Sequence, residues 1–214
     1  MKISHDNPNA QAGAMDQYYK FQSKIYDLTR WSFLFGREDV IKAIPLERNA
    51  ALKILEVGCG TGYNTKLLAE NFTNAQIKAY EVSSDMVELT QKKLAFAGSR
   101  VEIIHQPYGL EITPDAGLYD AILFSYSLTM INPQWSDLIK QAYQDLRPGG
   151  YIAVVDFHDS QYKWFKNHMG NNHVRMDAHL VPALKDLFAP IVEKVQTAYL
   201  GTWAYFTFIG KKSD

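Results

Sequence analysis

The apolar positions fall into short runs broken by polar and glycine-rich stretches, and their spacing changes along the chain. From Met15 onward Tyr18, Phe21, Ile25 and Leu28 recur at helical spacing, with Tyr19, Tyr26 and Phe33 as a second stripe beside them. A helix with aromatics on two sides has to bury both, one against the domain and the other over a ligand. Gly36 ends this helix, and Val40, Ile41 and Ile44 before Pro45 predict a short second one that stops where proline dictates. Residues 1–13 are polar and without period, which predicts a mobile leader.

Beyond residue 50 strand-like runs alternate with helical stripes. Residues 53–57, 77–80, 101–104 and 119–124 read as strands. Between them, Leu67, Leu68 and Phe72 predict one helix, and Met86, Val87 and Leu94 predict another, capped at Ser83-Ser84-Asp85 and closed at Ala97-Gly98. Trp135, Leu138, Ile139, Ala142, Tyr143 and Leu146 mark a further amphipathic helix, and the turn Arg147-Pro148-Gly149-Gly150 leads into a fifth strand. Residues 160–180 are rich in His, Asn and aromatics without a period, which predicts a substrate loop or lid. Leu184, Leu187 and Phe188 suggest a helix, and 192–200 and 202–209 two strands joined at Gly201. The alternation predicts an α/β fold. It divides 14–214 into a helical cap (14–45), a ligand-binding core (50–156) and a substrate loop with a C-terminal hairpin (157–214).

Composition narrows the partners. With 214 residues, nearly half of them apolar, the chain is long enough for one domain with a substantial core. The formal net charge is -1 with acids and bases interspersed, so nothing marks a nucleic-acid or strongly anionic partner. The single cysteine, Cys59, has no internal partner for a disulfide, and no signal-peptide pattern or membrane-length apolar run occurs. A cytoplasmic protein is expected, with transient contact with the inner face of the membrane left open and no obligate protein partner. His158, His168, His173 and His179 lack metal-ligand spacings, and no metal is expected.

The candidate chemistry is concentrated in Glu56-Val57-Gly58-Cys59-Gly60-Thr61-Gly62, a strand that runs into a glycine turn and then a helix. Alternate glycines bring the backbone itself to a ligand and permit the left-handed conformations that a tight turn needs. A dinucleotide turn reads G-x-G-x-x-G, and its third glycine falls here on Tyr63, which disfavours a nicotinamide-dependent oxidoreductase. Glu81, roughly 20 residues after the turn, ends the next strand where such folds place a carboxylate for a ribose diol.

These residues, with 119–124 and 146–155, resemble the class I S-adenosylmethionine-dependent methyltransferases over about residues 50–156. The resemblance implies a Rossmann-like, seven-stranded, mostly parallel sheet with helices on both faces, an antiparallel C-terminal hairpin and an N-terminal helical lid. It implies S-adenosylmethionine as cofactor, with S-adenosylhomocysteine as product. The implied cofactor contacts are Glu56, Gly58, Cys59, Gly60, Gly62, Glu81, Val82, Met86, Pro107, Tyr108 and Ser125, with Tyr26 and Arg30 reaching over from the cap. The family's adenine-holding acid or amide falls on Pro107, so backbone atoms, Gln106 or Tyr108 are left to hold that ring.

The chain lacks the Asn/Asp-Pro-Pro-aromatic and Pro-Cys sequences of nucleic-acid methylating enzymes. Residues 25–30, 33–37 and 124–131 are similar to the bacterial N-methyltransferases of betaine-lipid synthesis, and less closely to phospholipid and quinone methyltransferases. That similarity implies successive N-methylation of a small amine or lipid headgroup such as diacylglyceryl homoserine. The acceptor pocket is then expected to hold Tyr19, Tyr126, His158, His173 and Arg175, with His158 and Tyr126 catalytic and Arg175 on an acceptor carboxylate. A small-molecule or quinone methyltransferase and a non-catalytic cofactor-binding protein are the alternatives.

Overall fold

Strand β4 (Tyr119–Ser125) is buried along its whole length, and β1 (Lys53–Val57) is buried after its first residue. Their runs of Ile, Leu, Val and Ala are what a strand covered on both faces requires. In a computed structural model that describes residues 33–109 and 115–214, these two strands sit at the centre of a seven-stranded sheet. The order is β3-β2-β1-β4-β5-β7-β6, with β2 (Gln76–Glu81), β3 (Val101–His105), β5 (Leu146–Asp159), β6 (Ala189–Ala198) and β7 (Trp203–Lys211). β1 to β5 pair in parallel, and β7 is antiparallel to both β5 and β6. The expected mostly parallel sheet with an antiparallel hairpin is what forms.

Side chains alternate across this sheet and divide the core in two. On one face Ile54, Ala121, Leu123, Ala153 and Val155 meet α1 (Arg37–Ala43), through Val40 and Ile41, and α2 (Tyr63–Asn71), through Leu68. On the other face Leu55, Ile122, Phe124, Ile152 and Val154 meet α4 (Trp135–Asp145) and α6 (Leu180–Leu187). α3 (Ser84–Leu94) follows β2, and α5 (Lys163–Asn171) follows β5. The strand order reverses between β1 and β4, so a crevice lies outside their carboxyl ends.

Three local expectations change. The stretch 160–180 contains a helix, α5, whose one buried residue is Phe165; a single anchor beside an exposed Trp164 leaves no stripe to detect. The Arg147-Pro148-Gly149-Gly150 turn is a bulge inside β5, between the Tyr119–Leu146 and Ala121–Tyr151 pairs. Gly98 does not close α3 but lies within a following 3-10 turn, Ala95–Arg100, at φ 56°. The cap predicted over 14–45 is described only from Phe33, and the leader lies outside the described residues.

At Gly210 a Cβ would stand 2.6 Å from both Phe188 Cβ and the Phe208 ring, two buried side chains in a packed layer. Gly210→Ala is therefore expected to lower stability by about 1 to 3 kcal/mol in urea denaturation. An unchanged midpoint would show that this layer has slack.

Candidate functional site

The β1–α2 turn carries three glycines in left-handed conformation, Gly58 (φ 76°), Gly60 (φ 55°) and Gly62 (φ 73°). Two of them are also pressed by neighbours. A Cβ on Gly58 would lie 3.0 Å from Ser127 Cβ, and one on Gly62 would lie 2.7 Å from Thr90 Cγ2. The turn is tied to β2 as the Gly58 and Cys59 N–H groups donate to the Tyr80 carbonyl at 2.9 and 3.0 Å. Glu81 completes the tie. Its Oε2 accepts from Gly60 N–H at 2.8 Å, and its Oε1 accepts from the Val82 and Ser83 N–H groups at 2.9 Å each. From the other side the Thr90 hydroxyl donates to the Gly60 carbonyl at 2.7 Å.

Glu56 acts beneath the turn rather than at its surface. It is fully buried, and its carboxylate accepts from the Thr65 hydroxyl and from Asn64 Nδ2, both in the first turn of α2. Burial pushes its carboxyl up to about 7, against those two hydrogen bonds and with help from the nearby Glu81 charge. Cys59 is buried too, and burial raises its thiol well above the ordinary range, which leaves it a packing residue in place of a nucleophile.

Around the crevice, the buried hydroxyls of Ser83 after β2 and of Ser125 and Ser127 at the end of β4 have no hydrogen-bond partner among the described residues. Buried polar groups are rarely left so, and three of them at one sheet edge point to a ligand or water that completes them. Farther along the edge, segment 172–179 is stitched across the ends of β4 and β5. The Arg175 N–H donates to the Thr129 carbonyl, Asn132 Nδ2 donates to the same carbonyl, and the Ala178 N–H donates to the His158 carbonyl. Asp156, fully buried at the end of β5, accepts from the Thr129 hydroxyl and backbone N–H; burial raises its carboxyl to about 6.

The expected acceptor residues do not all meet. Tyr126 is buried on the α1 face, its hydroxyl donating to the Phe35 carbonyl at 2.9 Å and its ring edge-on to Phe157. His158 lies on the other face against Phe206, with Nδ1 buried and unpartnered. The guanidinium of Arg175 is held by Asp177 at 2.8 Å and lies 5.8 Å from the Trp135 ring, so an acceptor carboxylate would have to compete for it. His173 has a left-handed backbone, φ 62°. On the cofactor side Met86 is buried, the Val82 carbonyl contacts His105 Nε2, and Pro107 is half-buried. The Tyr108 ring packs on Tyr80 and Phe124 and its hydroxyl donates to Asp145. Tyr19, Tyr26 and Arg30 lie outside the described residues.

Several residues were not anticipated. Thr90 and Thr65 lock the turn from α3 and α2, and no local pattern marks either. Asp177 and His179 form a hydrogen-bonded pair through Nδ1 that leaves His179 Nε2 buried without a partner; the Asp-x-His spacing in a segment rich in polar residues was the available signal. Among the described residues no group of acids, histidines or cysteines is arranged to hold a metal, and no helix is long and apolar enough to cross a membrane.

The buried carboxyl yields a test. Because Glu56 ionises near its ordinary 4.5 when unfolded and near 7 when folded, folding takes up a proton between those values, and stability falls as pH rises through them. Relative to Glu56→Gln, the wild type is expected to lose on the order of 3 kcal/mol between pH 4.5 and 7 and nothing more above that. A pH-independent difference in urea denaturation would place the proton elsewhere.

A family model for the methyltransferase domain matches residues 54–150. The chain is 34% identical over 115 residues to the malonyl-[acyl-carrier protein] O-methyltransferase of Priestia megaterium, covering 54% of this chain and 40% of that protein. It is 27% identical over 149 residues to the ubiquinone/menaquinone biosynthesis C-methyltransferase of Geotalea daltonii, covering 66% and 62%. The chain thus spans less than two thirds of the length of either relative. In fold it is similar to the Burkholderia thailandensis 1,6-didemethyltoxoflavin-N1-methyltransferase, crystallised with its didemethyltoxoflavin and S-adenosylhomocysteine. The TM-score is 0.74 at 14% identity, over 100% of this chain and 94% of that one. The matched segment runs from β1 through the glycine turn, β2, β4 and α4 into β5, and over that segment the chain is similar to methyltransferase domains.

Proposed function

We propose that this protein transfers a methyl group from S-adenosylmethionine to a small nucleophile at the carboxyl ends of β4 and β5. The observation that carries the reading is the glycine turn itself. It lies at the reversal of strand order, and it is held from both sides by Glu81 and Thr90. The residues fit the cofactor. Glu81 uses three acceptor positions on backbone N–H groups and keeps lone-pair capacity on Oε2 for a ribose hydroxyl, beside the unpartnered Ser83 hydroxyl. When bound, S-adenosylmethionine supplies a sulfonium methyl open to in-line displacement. The protein's own work is then to position the acceptor, exclude water and take up the acceptor's proton.

For the acceptor we favour an amine on a small or lipid headgroup, diacylglyceryl homoserine being the specific case. Support comes from the imidazoles. Burial holds both His158 and His179 below the ordinary 6.5, so both are neutral near pH 7, and each has a nitrogen with no partner among the described residues. Every round of amine methylation sheds a proton, and a neutral imidazole at the strand end can accept it. His158 is the proposed base, working when deprotonated. Turnover is then expected to be full above its pKa and to fall as pH drops through a value below 6.5; His158→Gln should lower kcat and remove that limb. An unchanged pH profile in the variant would exclude His158.

Two measurements test the reading. In calorimetry the wild type should bind S-adenosylhomocysteine and not NADH, and Glu81→Ala should weaken that binding at least about tenfold, since charge-assisted hydrogen bonds contribute about 1.5 to 3 kcal/mol each. Equal affinity would remove Glu81 from the ribose. In mixed micelles with S-adenosylmethionine, methyl transfer to diacylglyceryl homoserine is expected. Transfer to malonyl-acyl-carrier protein without any to the amine lipid or to free homoserine would overturn the acceptor and leave methyl transfer in place.

A further inference from the structure

On the α1 face, at the carboxyl edge of β5 and the start of β7, a cavity of ≈ 460 Å³ is lined by Phe33, Trp164, Phe165, His168, Tyr199 and Trp203. That volume is within the range of small-molecule pockets, which are commonly aromatic with a few fixed polar groups. One polar group here is out of place. Trp203 is 1% exposed, yet its indole N–H has no acceptor among the described residues. Buried indoles almost always find one, and an unmade hydrogen bond at a buried donor is costly. The ring has no freedom to turn toward an acceptor elsewhere, being packed on Phe157, Phe35 and Tyr205 at centroid distances of 5.1, 5.9 and 5.9 Å. The nearby Thr202 hydroxyl already donates to the Tyr199 carbonyl, and the Thr202 carbonyl accepts from Ser160.

We infer that this cavity binds the apolar body of a small molecule and that an oxygen of that ligand accepts the Trp203 indole N–H. The donor selects the class. A quaternary ammonium would suit the ring faces but has no lone pair to offer, whereas an ester or ketone carbonyl next to an acyl chain or ring has one. Position adds a constraint. β7 is three strands from β1 in the sheet order, and at ~4.8 Å per strand the cavity is displaced by about 14 Å from the glycine turn. A ligand that reaches both places is elongated. Resting on the methyl-transfer reading above, the cavity is where the non-reacting, apolar part of the acceptor docks, away from the atom that receives the methyl.

The test uses the full-length protein and two probes with the same chain, methyl octanoate, which carries a carbonyl, and octyltrimethylammonium, which carries none. The chain has four tryptophans, so four indole N–H signals are expected in a ¹H–¹⁵N spectrum, and Trp203→Phe assigns one. Methyl octanoate should bind and move the Trp203 indole proton downfield. Trp203→Phe, which keeps a ring and loses the donor, and Trp164→Ala, which removes a wall that is 64% exposed, should each weaken binding about five- to tenfold. The ammonium should bind more weakly and leave that signal in place. Saturation without a downfield shift, tighter binding of the ammonium, or no binding of the ester would each overturn the assignment. If Trp203→Phe fails to fold, the shift in the wild type and the Trp164→Ala affinity decide. A parallel titration with S-adenosylhomocysteine separates the two claims, because the cavity can bind the ester when the glycine turn binds nothing, and the reverse.

Discussion

The structure depends on one carboxylate. Glu81 gathers three backbone N–H groups, one from the glycine turn and two from its own strand end, and so fixes the turn after β1 to the end of β2. A turn with three left-handed glycines has little conformational preference of its own and loses much entropy on ordering. Something outside it has to hold it open in one shape. Glu81 and Thr90 grip Gly60 by its N–H and carbonyl, while Glu56, below, anchors the first turn of α2 through Asn64 and Thr65. A buried acid on each side of the turn thus serves positioning, and only Glu81 stands at the crevice with acceptor capacity left.

The sheet explains how one edge serves two purposes. Because side chains alternate along β4 and β5, neighbouring residues at the strand ends face opposite layers. Phe157 joins the aromatic layer with Tyr126 and Trp203, and His158 turns toward Phe206 and the segment carrying His179. The imidazoles are therefore collected on the α6 side of the edge and the apolar cavity on the α1 side, while the glycine turn lies beyond β4, toward β2, from both. A ligand with a polar reacting end and an apolar remainder matches that division.

Much of this was legible in the sequence, for a physical reason. Strands covered on both faces need continuous apolar runs, so β1 and β4 announce themselves, and a glycine turn following such a run admits few readings. The place of Glu81 at the end of β2 was legible as well, because strand length and the helix between set its distance from the turn. What was not legible depends on partners far apart in the chain. Nothing local says that Tyr126 will give its hydroxyl to Phe35, 91 residues away, or that Tyr108 will give its own to Asp145. The helix α5 escaped notice because it buries one side chain, and periodicity needs at least two.

The central claim is that the glycine turn beside Glu81 is where the cofactor binds. Residue-resolved amide NMR during a titration with S-adenosylhomocysteine tests it most directly. The account predicts that the amide signals of Gly58, Gly60 and Gly62, together with those of Val82 and Ser83 beside the Glu81 carboxylate, shift first and furthest, while those of the β6–β7 hairpin stay in place. Saturable binding that leaves the glycine amides unmoved and perturbs the hairpin or α6 in their stead would contradict it.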